Sequence, residues 1–240
     1  MGWESIKVPD GTMRLYVSRP EGAGPFPGVI VIQGQKGVDR FIEEVTQRLA
    51  KAGYAAAGPE LYHRDPPECR DDAKTRRARL RDKLVIQDVN AAADYLARDP
   101  KVDPERFAIM GFCMGGRVTL LMSSAGPRFK AGSDFYGGNM LEPWGDGPSP
   151  YQRAAEIHCP LMGHFGLDDE NPSPEHIKKL DAEMTRLGKR HEFYSYEKTG
   201  HAFMDPHGDK YRAESAATAW KRTLEFFGRE LAPAKSRAAS

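Results

Sequence analysis

The feature that most constrains the fold is an apolar run followed by a glycine-rich turn and a helical pattern, over residues 106–121. The run Phe107–Met110 has the length and character of a buried strand. The turn Gly-Phe-Cys-Met-Gly-Gly follows, and apolar residues then recur at spacings that a helix can bury. This order predicts a strand, a tight turn and a helix, with Cys113 at the turn. It is the geometry of a nucleophile elbow, in which the residue at the turn stands above the edge of the sheet.

Glycines on both sides of Cys113 have a physical purpose in such an elbow. Without a Cβ they let the strand and the helix approach closely, while the residue at the turn takes a strained backbone conformation. The helix that begins after Cys113 directs its positive end at the sulfur, which favours the thiolate over the thiol. A buried structural cysteine in a glycine-rich turn is the alternative that this motif alone leaves open.

The rest of the chain alternates between strand and helix patterns. The β-branched run Gly28–Ile32 is typical of a strand buried on both faces, and apolar residues at helical spacing follow it up to Gly53. Similar alternation continues to Phe227, with loops expected over residues 65–81 and 137–158. This pattern predicts an α/β fold with a mainly parallel central sheet and helices on both faces. We expect one domain over residues 1–231 and a flexible tail over residues 232–240.

Composition excludes several classes of partner. The 240 residues carry 35 Lys and Arg against 34 Asp and Glu, so no basic excess favours nucleic acid. No apolar run is long enough to cross a bilayer, and the first 20 residues lack the core of a secretory signal. Three scattered cysteines give neither a disulfide framework nor a metal-ligand spacing. We therefore expect a cytoplasmic monomer or homodimer that needs no cofactor and no metal.

Two polar residues follow later strands and complete a candidate site with Cys113. Asp168 comes after the predicted strand Leu161–Gly166, and His201 comes after the strand that ends near Tyr196. Ligands of parallel sheets bind at the carboxyl ends of the strands, and nucleophile, acid, histidine is the chain order of the α/β-hydrolases. Cys113 would attack a carbonyl carbon, His201 would move the proton, and Asp168 would orient the imidazole. The oxyanion would be held by the backbone N–H of Met114 and by one from the loop Gly34–Lys36, for which we name Gln35.

Four separated motifs resemble the dienelactone hydrolase family. They are Gly-Phe-Cys-Met-Gly-Gly at 111–116, Gly-Tyr-Ala-Ala-Ala-Gly-Pro-Glu-Leu-Tyr at 53–62, Gly-Leu-Asp at 166–168 and Gly-His-Ala-Phe at 200–203. The likeness runs from about residue 13 to about residue 228. It implies an α/β-hydrolase fold, a Cys–His–Asp triad, and hydrolysis of lactones or small esters such as carboxymethylenebutenolide.

The sequence departs from that family where the substrate and the resting thiol would be held. The family carries a Glu after the strand that matches Val29–Ile32, but residues 33–36 here contain no carboxylate. The family places an Arg four residues after the histidine, where this chain has Asp205. A further family arginine could match one of the arginines between residues 76 and 81. The candidate substrate contacts are Gln33, Lys36, Arg81, Phe203 and Asp205, and Asp205 predicts a preference for neutral esters and lactones.

Two other functions remain open from the sequence. The chain could be a non-catalytic protein that uses a hydrolase fold for binding, or a redox sensor built on an oxidisable Cys113. Residues of the three triad types at the ends of three strands favour the enzyme. The expected partner is therefore a small-molecule ester or lactone.

Overall fold

The architecture comes from a computed structural model, which describes residues 1–233. The predicted tail begins at residue 232, and its residues 234–240 lie outside the described part of the chain. The eight strands are β1 (Gly2–Val8), β2 (Gly11–Ser18), β3 (Phe26–Ile32), β4 (Ala55–Pro59), β5 (Val102–Phe112), β6 (Ala131–Phe135), β7 (Leu161–Gly166) and β8 (His191–Tyr196). The six α-helices are α1 (Arg40–Lys51), α2 (Ala73–Ala78), α3 (Asp82–Ala97), α4 (Met114–Ser124), α5 (Pro174–Arg186) and α6 (Ala213–Glu230).

All eight strands form one sheet in the order β1-β2-β4-β3-β5-β6-β7-β8. β1 pairs antiparallel with β2, and β2 pairs antiparallel with β4, whereas the strands from β4 to β8 are parallel. The predicted α/β-hydrolase architecture is therefore confirmed, with β5 in the interior of the sheet. The first and last strands, β1 and β8, belong to this same sheet, and the single domain over residues 1–231 stays a prediction.

The core lies on both faces of the sheet because side chains alternate along each strand. In β3, Ile30 and Ile32 pack on the face covered by α3 and α4, while Val29 and Val31 pack on the face covered by α1 and α6. α5 packs over a third cluster that includes Phe165 of β7. Burial on both faces explains the continuous apolar runs that identified these strands.

Local signals in the sequence set the limits of the helices. The Asp39 side chain accepts a hydrogen bond from the Ile42 N–H at 3.2 Å and begins α1, and Gly53, with φ of +91°, lies just after its end. Ser173 caps α5 in the same way, ahead of Pro174 at its first turn. α2 forms within the stretch that was predicted to be loop. No helix in the part of the chain that the structure describes is long and apolar enough to cross a membrane.

Candidate active site

Cys113 occupies a sharp turn between β5 and α4. Its φ is +58°, a backbone conformation that costs energy for any residue with a Cβ. A Cβ on Gly111 would overlap the carbonyl of Gly115, and one on Gly115 would overlap the carbonyl of Ile32. Glycine is therefore required at both positions for the strand and the helix to approach as they do. The predicted strand–turn–helix geometry is present.

The surroundings of the Cys113 sulfur favour its thiolate form. Burial would by itself raise the pKa of the thiol, because a charged group is poorly solvated there. A hydrogen bond and the charge of His201, together with the backbone N–H groups of Met114 and Gln35, outweigh burial and lower the pKa below its usual value. The side chain itself remains partly exposed. A thiolate with access to solvent is a competent nucleophile.

His201 lies between Cys113 and a buried carboxylate, which belongs to Asp169. The His201 Nδ1 and the Asp169 Oδ2 are 2.8 Å apart, and Asp169 is only 5% exposed. Burial would lower the pKa of His201, but its hydrogen bonds to Asp169 and Cys113 raise the pKa well above its usual value. The imidazole is therefore held in its protonated form between two anionic partners.

The structure corrects the expected acid from Asp168 to Asp169. After β7 the chain makes a tight turn in which the Asp168 N–H bonds the Thr199 carbonyl at 2.9 Å and the Asp169 N–H bonds the Gly166 carbonyl at 3.3 Å. This turn directs the Asp168 side chain to solvent and the Asp169 side chain beneath His201. The two residues are adjacent, so the prediction differs from the structure by one position.

The two predicted oxyanion N–H groups, those of Met114 and Gln35, point to the same place. Both N–H groups stabilise the Cys113 thiolate. The Tyr62 hydroxyl lies 3.1 Å from the Gln35 carbonyl oxygen and 3.3 Å from the Met114 sulfur, so it contacts both residues. Two N–H groups directed at one sulfur are compatible with the predicted oxyanion hole, which stays a prediction.

The sulfur opens into a cavity of about 580 Å³. Its lining carries both signs of charge: Arg77, Lys210 and Arg212 against Asp168 and Glu170, in addition to Asp169. Within residues 1–233, neither Arg77 nor Lys210 forms an ion pair. The volume suits a small organic molecule, and the free cations could pair with an anionic group on it.

Comparisons with known proteins identify the family. The model of the dienelactone hydrolase family matches residues 13–231. The chain belongs to the dienelactone hydrolase family.

Several relatives illustrate this membership. A protein of Methylorubrum extorquens named "Putative carboxymethylenebutenolidase" is 34% identical over 239 residues, covering 92% of this chain and 79% of the relative. A Bradyrhizobium protein named "Probable 2-oxo-3-(5-oxofuran-2-ylidene)propanoate lactonase" is 31% identical, covering 93% and 92%. The crystal structure described as a "Putative Dienelactone Hydrolase" from Klebsiella pneumoniae has a TM-score of 0.89 and 32% identity, covering 95% of this chain and 98% of its own. The resemblance drawn from the four motifs is confirmed, and the chain is a dienelactone hydrolase-like hydrolase.

The expected substrate contacts lie outside the cavity of this family member. Gln33 is buried, with its Oε1 accepting the Leu61 N–H at 3.0 Å. Phe203 is also buried, packed against Tyr136 with ring centroids 5.3 Å apart.

The other three candidates also lie outside the cavity. Lys36 is exposed and does not line the cavity. Arg81 donates to the carbonyls of Ala78 and Leu80, both at 2.8 Å. Asp205 is engaged in a turn, where its Oδ1 accepts the His207 N–H at 2.9 Å. The repulsion of anionic substrates expected from Asp205 therefore has no basis in the cavity.

Arg77, one of the arginines between residues 76 and 81 that could match the further family arginine, lines the cavity. Three other residues near the site were not assigned a role from the sequence. Trp144 also lines the cavity, and Arg117 is fully buried one turn after Cys113. Asp134 is buried behind α4, and burial raises the pKa of its carboxyl to about 7. A charged residue inside an otherwise apolar stretch was the available signal for Arg117 and Asp134.

One group of side chains has the spacing of a metal site. Ligand atoms of Asp10, His63 and Asp88 lie within 4.8 Å of one another. Arg64 donates to both carboxylates, at 2.5 Å to Asp10 and 2.6 Å to Asp88, so a cation already balances their charge. The group is better described as an ion-pair network than as a metal centre.

Proposed function

We propose that the protein hydrolyses small carboxylic esters or lactones through a thioester formed on Cys113. The observation that supports this most directly is the convergence of His201 and two backbone N–H groups, from Met114 and Gln35, on one sulfur. That sulfur faces a cavity of a size that fits a small ester. A structural cysteine needs none of these contacts.

In the acylation half, the Cys113 thiolate attacks the carbonyl carbon of the ester. The carbonyl oxygen becomes an oxyanion that accepts hydrogen bonds from the N–H groups of Met114 and Gln35. The carbon–oxygen bond to the leaving group then breaks, and the departing alkoxide takes the proton of the His201 imidazolium. A lactone would leave its own alcohol attached to the acyl chain.

In the deacylation half, neutral His201 removes a proton from water as the water attacks the thioester. The tetrahedral intermediate collapses, the thiolate of Cys113 departs, and the carboxylic acid leaves the site. Asp169 holds the imidazole through its Nδ1–H and stabilises the cation that forms again at His201. The thiolate–imidazolium pair is thereby restored for the next cycle.

We further propose that substrates bearing a carboxylate are accepted as well as neutral ones. Two relatives bear names that refer to a carboxylate-bearing lactone, carboxymethylenebutenolide or an oxofuranylidene propanoate. Arg77 and Lys210 line the cavity without ion-pair partners in the described part of the chain, and Arg77 is half-buried. Of the two, Arg77 is better placed to hold a carboxylate, because its planar guanidinium can bind both oxygens.

The test is rapid-mixing kinetics with 4-nitrophenyl acetate. We expect a burst of nitrophenolate equal to the enzyme concentration, since acylation should precede a slower hydrolysis of the thioester. Cys113→Ala should remove both burst and turnover. Cys69→Ala is the matched control, because Cys69 is also partly exposed but lies outside the cavity. Normal turnover by Cys113→Ala would refute a thioester on Cys113, and a wild type that shows neither burst nor turnover would leave a binding protein as the alternative.

A further inference from the structure

A buried ion pair connects the helix that carries the candidate nucleophile to one wall of the cavity. Arg117 of α4 is fully buried and donates to both oxygens of Asp82, at 2.7 and 3.0 Å. It also donates to the carbonyls of Glu142, at 2.6 Å, and Asn139, at 3.3 Å. Burying a guanidinium is costly unless its donors are satisfied in this way. Arg117 therefore holds the loop after β6 in one position relative to α4.

Trp144 is the side chain that this arrangement fixes in the cavity. The Arg117 guanidinium carbon lies 3.8 Å from the centroid of the Trp144 ring. The Trp144 backbone is held as well, since its N–H donates to the Asp82 carboxylate at 3.0 Å and its carbonyl accepts the Asp82 N–H at 2.8 Å. Ring and backbone are thus both restrained, although Trp144 lies in a loop with no regular structure of its own.

Trp144 differs in kind from the other residues around the cavity. Among the described residues that line it, Trp144 is the only Phe, Tyr or Trp side chain. Arg117 lies over the indole ring, and Trp144, which is only partly buried, also lines the cavity, where a ligand can reach it. An aromatic side chain that is already fixed can bind a flat group without the loss of conformational entropy that ordering a loop would cause. Offset stacking on such a surface adds to the gain from buried area.

The side of the substrate that meets Trp144 follows from the position of His201. Because His201 protonates the leaving group, the leaving group must lie on the side of the cavity formed by the segment after β8, which also contributes Lys210 and Arg212. Trp144 lines a different part of the wall, in the loop after β6, and is held there through Asp82 of α3 and Arg117 of α4. An acyl group that points away from the leaving group is then the part of the substrate that Trp144 can contact.

We propose that Trp144 determines acyl specificity by favouring flat, conjugated acyl groups, and that Arg117 is the positioning residue that holds it. This inference rests on the proposed esterase function and adds the class of acyl group to it.

The experiment compares 2,2,2-trifluoroethyl benzoate with 2,2,2-trifluoroethyl cyclohexanecarboxylate, and kcat/KM is measured by proton release. The two esters share a non-aromatic leaving group and a six-membered ring, and only the benzoyl ring is flat. Trp144→Leu should lower the benzoate to cyclohexanecarboxylate ratio of kcat/KM by about 2- to 13-fold relative to the wild type, as expected for an aromatic pair. The differing intrinsic reactivity of the esters cancels in this comparison.

Trp220→Leu is the matched control. Arg48 lies 3.9 Å from the centroid of the Trp220 ring, so the chain offers a second Arg–Trp stack of nearly the same geometry outside the cavity. The ratio in Trp220→Leu should stay within about twofold of the wild type. Arg117→Lys keeps the charge but loses the planar fork and the stack, and should lower the same ratio with Trp144 still present. A merely structural role for Arg117 would lower kcat/KM for both esters equally.

The outcomes separate this inference from the proposed function. An unchanged ratio in Trp144→Leu, with both esters hydrolysed, overturns the role of Trp144 and leaves the esterase intact. Turnover of 4-nitrophenyl acetate but of neither trifluoroethyl ester also overturns it. Wild-type rates in Cys113→Ala refute the thioester mechanism, and failure of the wild type to hydrolyse any of the three esters refutes the esterase itself. If Arg117→Lys fails to fold, as a thermal melt would reveal, Trp144→Leu still decides the question.

Discussion

Replacing Asp169 by asparagine tests whether its contact with His201 drives the chemistry. The carboxylate accepts two hydrogen bonds. Its Oδ2 accepts one from the Nδ1 of His201 at 2.8 Å, and its Oδ1 accepts one from the Asn171 N–H at 2.9 Å. An asparagine can satisfy the Asn171 N–H with its one oxygen. It then presents an NH2 group to the Nδ1–H of the imidazolium, so a donor faces a donor. Shape is preserved, and the charge and the hydrogen bond to His201 are lost.

The size of the effect follows from the burial and charge of this pair. Hydrogen bonds to charged groups contribute about 1.5–3 kcal/mol, and every 1.4 kcal/mol is tenfold in a rate or equilibrium. We therefore expect Asp169→Asn to lower kcat/KM by about 10- to 150-fold. Asp169 raises the pKa of His201, so its loss should lower that pKa by about one to two pH units. The alkaline limb of the pH profile, where His201 loses its proton, should move down accordingly.

The assay is the pH profile of kcat/KM for 4-nitrophenyl acetate, and Asp168→Asn is the control. Asp168 is exposed at the cavity and its side chain does not contact His201, so Asp168→Asn should leave the alkaline limb of the profile in place. The reasoning is refuted if Asp168→Asn is the damaging change, or if Asp169→Asn leaves the alkaline limb in place.

Three further predictions follow from the same structure. The rate of carbamidomethylation of Cys113 by iodoacetamide should reach half its maximum well below pH ~8.5, and an ordinary thiol titration would contradict the lowered pKa. Burial raises the pKa of Asp134 from 3.8 to about 7, so the folded protein keeps a proton that the unfolded chain loses, and stability falls as the pH rises between these values. Asp134→Asn removes this loss, so the Tm that it gains over the wild type should grow between pH 4 and 7 to about 4–8 °C, which corresponds to ~2 kcal/mol. A gain that does not depend on pH would contradict this prediction. In Gly116→Ala, the new Cβ would overlap the Asp134 carboxylate and lie 2.6 Å from the Gly137 Cα. Thermal melts should therefore show that the free energy of unfolding falls by about 1–3 kcal/mol. Gly2→Ala is the control and should not lower it, because no atom lies within 4 Å of a Cβ there.

Sequence reasoning located the parallel part of the fold because those strands are buried on both faces. The predicted ends of strands and helices were less accurate where an element contains polar residues. β5 begins at Val102, five residues before the predicted run, because Val102 pairs with Phe26 ahead of a shift in register. α2 was missed because it buries no residue and so has no apolar stripe, although Asp72 caps it through the Thr75 N–H at 2.7 Å.

The candidate site could be predicted in part for a similar reason. Cys113 and His201 each come directly after a strand that the sequence predicts, and the glycines that the elbow requires are visible in the sequence. The choice between Asp168 and Asp169 depends on a turn that bonds to Thr199, about 30 residues away along the chain. The partner of Arg117 is likewise set by tertiary contact, because Asp82 is 35 residues away. Such pairings are decided by packing and leave no local pattern.

The position of His201 after β8 has a consequence for local stability. β8 is an edge strand of the sheet, and most of its residues are only partly buried, whereas β5 and the turn at Cys113 lie deep in the interior. Edge strands with exposed backbone open locally at a lower free energy than central ones. Opening of that edge would move His201 away while the Cys113 sulfur, its helix and its N–H donors stay in place. In the proposed mechanism, the proton donor therefore depends on a less stable part of the sheet than the nucleophile does.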